Sequence, residues 1–194
     1  MKVGVTRQSA LIVVDIQNDF LPGGALPVPE GDKVILPMNN YIKIFSERNL
    51  PIIATRDWHP ENHVSFKSRG GLWPPHCIKN TWGAEFPKNL RLPPDTIIIS
   101  KAFIENEEAY SGFQGTNLDK VLKEMNINRL FIGGLATEYC VRATVLDALE
   151  LGYQVILLLD AIKGVNVNPG DSEKAIREMI NRGAIGIIFE DLFI

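Results

Sequence analysis

A chain of 194 residues, 45% hydrophobic and 22% charged, is long enough to bury a substantial core without disulfide or metal staples. Its formal net charge of -3 offers no basic field for nucleic acid or anionic lipid, so the expected partner is a small molecule, with no nucleic acid and no membrane. The first residues, MKVGVTRQS, lack a secretory leader's apolar core, and no apolar run approaches a membrane span. With only 2 cysteines, the chain reads as a cytoplasmic protein with reduced thiols; a Cys77–Cys140 disulfide stays open as the alternative.

Residues 10–14, ALIVV, form an uninterrupted apolar run of the kind found in strands covered on both faces, and the run ends at Asp15. A Gly- and Pro-rich loop follows. Helical spacing of Val34, Ile35, Met38, Ile42 and Phe45 then predicts a helix over 32–48. Residues 51–55, PIIAT, read as the second strand. It leads into an irregular stretch, 56–86, that holds all 3 histidines and all 3 tryptophans. So long a loop in a compact domain is functional unless disordered, and its aromatic content argues against disorder. A third strand over 95–99, DTIII, runs into Ser100 and Lys101, and a helix is predicted over 116–125.

The stretch 129–152, RLFIGGLATEYCVRATVLDALELG, couples a strand to a helix. Leu130, Phe131 and Ile132 form a short apolar run closed by Gly133 and Gly134. Beyond it Val141, Val145, Ala148 and Leu149 share one helical face, Arg142, Asp147 and Glu150 the other, and Gly152 is placed to end the helix. Thr137 is the expected N-cap, which puts Cys140 in the first turn, where backbone N–H groups and the helix dipole stabilise a thiolate. A fifth strand over 154–159 ends at Asp160. A helix over 171–182 stops at Gly183, and residues 184–189 close the chain as a sixth strand. No repeat or linker interrupts the pattern, so one domain over 1–194 is expected.

Strands that are continuous apolar runs, alternating with helices, imply an α/β fold: a Rossmann-like, doubly wound, parallel six-stranded sheet with helices on both faces. Ligands in such folds bind beyond the carboxyl ends of the strands, where strand order reverses. The residues expected there are Asp15, Asp57, His59, Lys101, Cys140 and Asp160. A cysteine beside a carboxylate and a lysine is a workable nucleophile, since the ammonium favours the thiolate and the carboxylate shuttles the proton. Asp57 and His59, two apart on an extended chain, project to one side. With His76 they supply one carboxylate and two imidazoles, a set that suits Zn(II), Fe(II) or Mn(II) with positions left for water. His63 fits as a fourth ligand or as a hydrogen-bonding neighbour. Read without chemistry, the same residues describe a metal-stabilised binding domain with an inert, buried cysteine, which would resist alkylation at neutral pH.

Taken together, VVDIQNDFLPGGAL, TRDWHPENHVSF, WPPHC, SKAF with AYSGF, and GGLATEYCVRATVLDAL resemble the nicotinamidase family of the isochorismatase-like cysteine hydrolases. The resemblance runs from Ala10 to about Val165 in the family's order. It implies an isochorismatase-like hydrolase fold, with Asp15, Lys101 and Cys140 as the catalytic residues and Asp57, His59 and His76 as ligands of one divalent metal, zinc before iron or manganese. It also implies a cis peptide at Leu135–Ala136, an oxyanion hole from the backbone N–H groups of Ala136 and Cys140, and a substrate ring held by Phe20 and Trp73 with Tyr110 close by. The implied activity is metal-dependent hydrolysis of the linear carboxamide of nicotinamide to nicotinate and ammonia through a thioester, in NAD salvage and extending to pyrazinamide; a homo-oligomer is compatible with it. Relatives acting on ureido or carbamoyl compounds define the alternative, whereas Cys140 argues against the isochorismatase branch itself. Cys77 reads as structural.

Overall fold

The computed structural model describes residues 2–193; Met1 and Ile194, the outer ends of the unit expected over 1–194, lie outside the described residues. Its centre is β2 (Ser9–Val14), buried at every position as its apolar run requires. β2 pairs in parallel with β3 (Ile52–Asp57) on one side and β5 (Arg129–Leu135) on the other. Adding β4 (Ile97–Lys101), β6 (Gln154–Lys163) and β7 (Ile185–Ile187) gives a six-stranded sheet of order β4-β3-β2-β5-β6-β7, parallel at every pairing.

Alternate residues of β2 enter opposite cores, the period-2 property of a strand. Leu11 and Val13 join Met38, Tyr41 and Phe45 of α1 (Ile35–Glu47). Ile12 and Val14 join Leu118 and Leu122 of α2 (Leu118–Glu124), Val145 of α3 (Arg142–Glu150) and Met179 of α4 (Asp171–Asn181). Full burial of each such side chain contributes about 1.5–3 kcal/mol. The expected doubly wound sheet is therefore present, with α1 on one face and the other helices on the opposite one.

The chain steps outward from β2 to β3 to β4, and from β5 to β6 to β7 in the other direction. Strand order thus reverses between β2 and β5, opening a crevice at their carboxyl ends. Gly134 lies there with φ +130, and a Cβ on it would stand 2.0 Å from Val14 O. Only glycine lets the two central strands approach so closely at that point.

Several boundaries differ from expectation. α1 begins at Ile35 after a 3₁₀ turn over Gly31–Val34. β6 continues past Asp160 to Lys163, with a register shift opposite Ile132 and Gly134. A carboxylate can stay in that strand because Tyr41 Oη donates to it at 2.9 Å and the Phe189 N–H at 3.0 Å. Asp160 is consequently a structural acceptor under α1. Two short strands, β1 (Val3–Gly4) and β8 (Leu192–Phe193), pair in parallel and tie the ends together. Among the described residues, no helix is long and apolar enough to cross a membrane.

Candidate active site

Asp15, Asp57 and Lys101 stand at the ends of β2, β3 and β4, and the parallel register brings them together; Asp57 pairs directly with Lys101. Lys101 is wholly buried, and its Nζ lies 2.9 Å from Asp15 Oδ2 and 2.5 Å from Asp57 Oδ1. The same ammonium faces Ala109 O at 3.3 Å and Cys140 Sγ at 3.4 Å. Thr55 Oγ1 donates to Asp15 Oδ1 at 2.7 Å, which fixes that carboxylate and turns Oδ2 toward the cluster. Positive φ values occur at Asp15 (+47), at Cys77 (+46) immediately after His76, and at Ala102 (+51) immediately after Lys101. Left-handed backbone at non-glycine residues is uncommon, and here it falls at or next to Asp15, His76 and Lys101.

Cys140 sits differently from expectation. Residues Thr137–Val141 form one π-helical turn ahead of α3, and the position before it is Ala136, which offers no side-chain cap. Thr137 is inside the turn and buried. Val141 N–H therefore reaches back to Ala136 O at 3.2 Å, with Tyr139 N–H on the same oxygen at 3.1 Å. The peptide bond between Leu135 and Ala136 is cis, as the resemblance implies. Both cysteines are free, which removes the disulfide alternative.

The electrostatics correct a second expectation. Burial pushes the Cys140 thiol well above its ordinary value; Lys101 opposes that, while Asp15 and Asp57 reinforce it. Burial is thus the larger influence on the thiol, and the lysine charge that opposes it is shared between two carboxylates. Burial, with Asp57 adding to it and Lys101 opposing, also raises Asp15, which makes it a better proton acceptor than an ordinary aspartate. Burial opposes the charge on Lys101 and is outweighed by Asp15 and Asp57, so Lys101 stays protonated.

His59 and His76 close on Asp57 with candidate ligand atoms all within 4.8 Å of one another. His59 Nδ1 lies 2.9 Å from His76 O and His76 Nδ1 lies 2.8 Å from Pro74 O. A carbonyl only accepts, so both Nδ1 atoms carry protons and each Nε2 keeps its lone pair. Burial lowers His59 to about 4, which keeps that imidazole neutral and available. The cluster carries two buried carboxylates against one ammonium, and a cation beside Asp57 would balance the excess. Donor set and charge both fit a divalent metal. His63 lies beside His59, ring centroids 4.3 Å apart, but its nitrogens are engaged elsewhere: Nε2 donates to Glu107 O at 2.9 Å and Nδ1 meets Ser65 Oγ at 2.8 Å.

Residues that sequence reasoning passes over hold this geometry. Gln17 accepts the Asp57 N–H at 2.8 Å and donates to both Asp57 O and Ala84 O at 2.9 Å. Asp19 accepts the Cys77 N–H at 2.7 Å and the Ala25 N–H at 3.0 Å. A Cβ on Gly83 would stand 2.1 Å from Asp19 Oδ2, so that position admits only glycine. Both side chains pin the irregular 56–86 stretch to the loop after Asp15. Polar residues in a loop carry no sequence signal that distinguishes such pinning from solvation.

Cys140, Asp57 and His76 open onto a cleft of about 380 Å³ including its mouth. Phe20, Trp73 and Tyr110 line it together with Ala136, Val165 and Tyr139. Trp73 Nε1–H donates to Tyr110 Oη at 3.0 Å, and Tyr139 meets Trp73 edge-on at 5.0 Å. Phe20 packs on His76 with ring centroids 5.5 Å apart. The result is an aromatic slot ending at a thiol and a metal-ligand set. Sequence reasoning does not single out Tyr139, since a residue next to a nucleophile on a helix reads as solvent-facing.

A parallel α/β sheet that gathers a thiol, a lysine and carboxylates at its switch point falls in the class of cysteine hydrolases. The family can be stated more narrowly. Residues 9–188 match the Isochorismatase domain, and the chain belongs to that family. It is similar to the nicotinamidase of Escherichia coli (strain K12), 41% identical over 90% of this chain and 92% of that protein. A solved pyrazinamidase of Pyrococcus horikoshii in complex with zinc is 58% identical, with a TM-score of 0.90 over 94% of this chain and 99% of that one. The yeast nicotinamidase bound to the inhibitor nicotinaldehyde is 32% identical, with a TM-score of 0.83 over 92% of this chain and 100% of the other.

Proposed function

We propose that this protein hydrolyses the carboxamide of nicotinamide to nicotinate and ammonia through a thioester on Cys140, with pyrazinamide as a further substrate and NAD salvage as the setting. The observation that carries the reading is Lys101 Nζ touching Asp15, Asp57 and Cys140, the last two of which line an aromatic slot. The likeness to nicotinamidases and to a zinc-bound pyrazinamidase supports both the substrate class and zinc as the metal held by Asp57, His59 and His76. The whole chain, 1–194, acts in this reading as one catalytic unit.

Substrate enters with its ring between Phe20 and Trp73 and its carboxamide toward Cys140. Asp15 accepts the thiol proton as Sγ bonds to the carboxamide carbon, and Lys101 offsets the charge that develops. The N–H groups of Ala136 and Cys140 hold the resulting oxyanion. When the C–N bond breaks, Asp15 returns its proton to the leaving nitrogen and ammonia departs. Water then gives a proton to Asp15 and attacks the thioester; nicotinate leaves, and the proton on Asp15 restores the thiol. Asp57, His59 and His76 would hold the metal, whose Lewis acidity would help to orient the substrate ring. The complete ligand set favours such a heteroaromatic carboxamide over the ureido and carbamoyl alternatives.

The test is ammonia release from nicotinamide by purified protein of known metal content, beside a panel of ureido and carbamoyl compounds. Release from nicotinamide alone, or in large excess over the panel, is expected. Turnover confined to the panel would replace the substrate and keep the chemistry.

A further inference from the structure

The cleft lining includes Val165, which packs against the core at the head of the exposed segment that follows β6. Residues 166–169, just beyond Val165, are exposed, Val167 at 62%. Asn166 adopts φ +51. Yet Val165 lines the same cleft as Ala136, Tyr139 and Cys140.

Asn168 is held locally by Asp171, whereas the hydrogen bonds to Asn166 and the Ser172 hydroxyl come from the nucleophile's own turn. Glu138, two residues before Cys140, accepts the Asn166 N–H on Oε1 at 2.6 Å and the Ser172 hydroxyl on Oε2 at 3.2 Å. Asn166 Oδ1 in turn accepts the Ser172 N–H at 2.9 Å, closing a ring of three residues. The chain passes so close that a Cβ on Gly164 would stand 2.2 Å from Glu138 Oε2 and 1.9 Å from Ser172 Oγ. Glu138 is half-buried, and no cation pairs with it among the ion pairs of the described residues. Its carboxylate is committed to the segment that follows β6.

We propose that Glu138 is a positioning residue that fixes the Val165 wall of the cleft to the turn carrying Cys140. The turn itself does not depend on it, since Tyr139 and Val141 N–H both anchor to Ala136 O. Glu138 therefore acts on how tightly the ring is held and leaves the chemical step alone. Its effect belongs in KM and in discrimination against ring-substituted amides that a fixed Val165 excludes.

The substrate part of the test rests on the nicotinamide reading; the exchange part does not. In Glu138→Ala, the Asn166 amide should exchange with solvent about 10-fold faster or more, as the loss of a hydrogen bond to a charged acceptor implies. On nicotinamide, KM should rise about 10-fold with kcat held within about 3-fold, and preference over a ring-methylated nicotinamide should shrink. Glu138→Gln, which can accept from Asn166 and donate to Ser172 Oγ, should restore both readouts. Asn166 exchange as slow as wild type in Glu138→Ala would overturn the proposal. So would a fall confined to kcat. If wild type leaves nicotinamide untouched, the substrate reading fails, and the exchange rates still decide whether the clasp exists.

Discussion

Asp57 Oδ1 lies 2.5 Å from Lys101 Nζ, so a single carboxylate serves both the ammonium that faces Cys140 and the group of side chains suited to a metal. Neither half of the site can be altered at this residue without the other. Lys101→Met removes the one cation between Asp15, which is fully enclosed, and Asp57, which reaches only the cleft. Breaking a buried pair in this way costs about 3–5 kcal/mol. Urea unfolding at neutral pH should show a loss of that order together with loss of turnover, and a change below about 1 kcal/mol would mean that water reaches the cluster.

His76→Ala removes an imidazole whose Nδ1 is already committed to Pro74 O. Metal bound per chain should fall and KM for nicotinamide should rise. Full metal content in the variant would remove His76 from the ligand set.

Gln17→Leu keeps the volume and deletes the hydrogen bonds to Asp57 N–H, Asp57 O and Ala84 O. Each buried group left unpaired costs about 1–3 kcal/mol. Expected are a lower melting temperature and weaker metal retention together, because the strand end that carries Asp57 loses its anchor. A fall in stability with metal affinity unchanged would make Gln17 structural only.

The activity profile follows from Asp15, which burial raises above its ordinary value. As pH falls through that raised value, Asp15 binds a proton and can no longer accept one from Cys140, so kcat/KM should drop on the acid side above about pH 4, the unperturbed aspartate value. A profile flat down to that pH would exclude Asp15 as the base.

Much of this fold and site is legible in the sequence. The all-apolar runs at 10–14 and 130–132 suit only central strands, and the reactive residues at the strand ends then have to converge. The π turn is not legible, because the apolar positions Val141, Val145 and Ala148 repeat alike whether the turn ahead of them closes on the fourth or the fifth residue. Asp160 misleads for a related reason: a carboxylate after an apolar run reads as a strand end, and only the distant Tyr41 hydroxyl explains why β6 runs on. Thiolate stabilisation by Lys101 follows from sequence only if the lysine charge is free. Its two carboxylate partners lie 86 and 44 residues away in sequence, and only the fold shows that they share it.

The covalent step is the central claim, and intact-mass analysis of acid-quenched protein during turnover of nicotinamide addresses it most directly. A nicotinoyl adduct on the peptide containing Cys140, absent from Cys140→Ala at equal metal content along with ammonia release, is the expected result. Ammonia release by Cys140→Ala at a rate near wild type would contradict it and leave direct attack by water as the route.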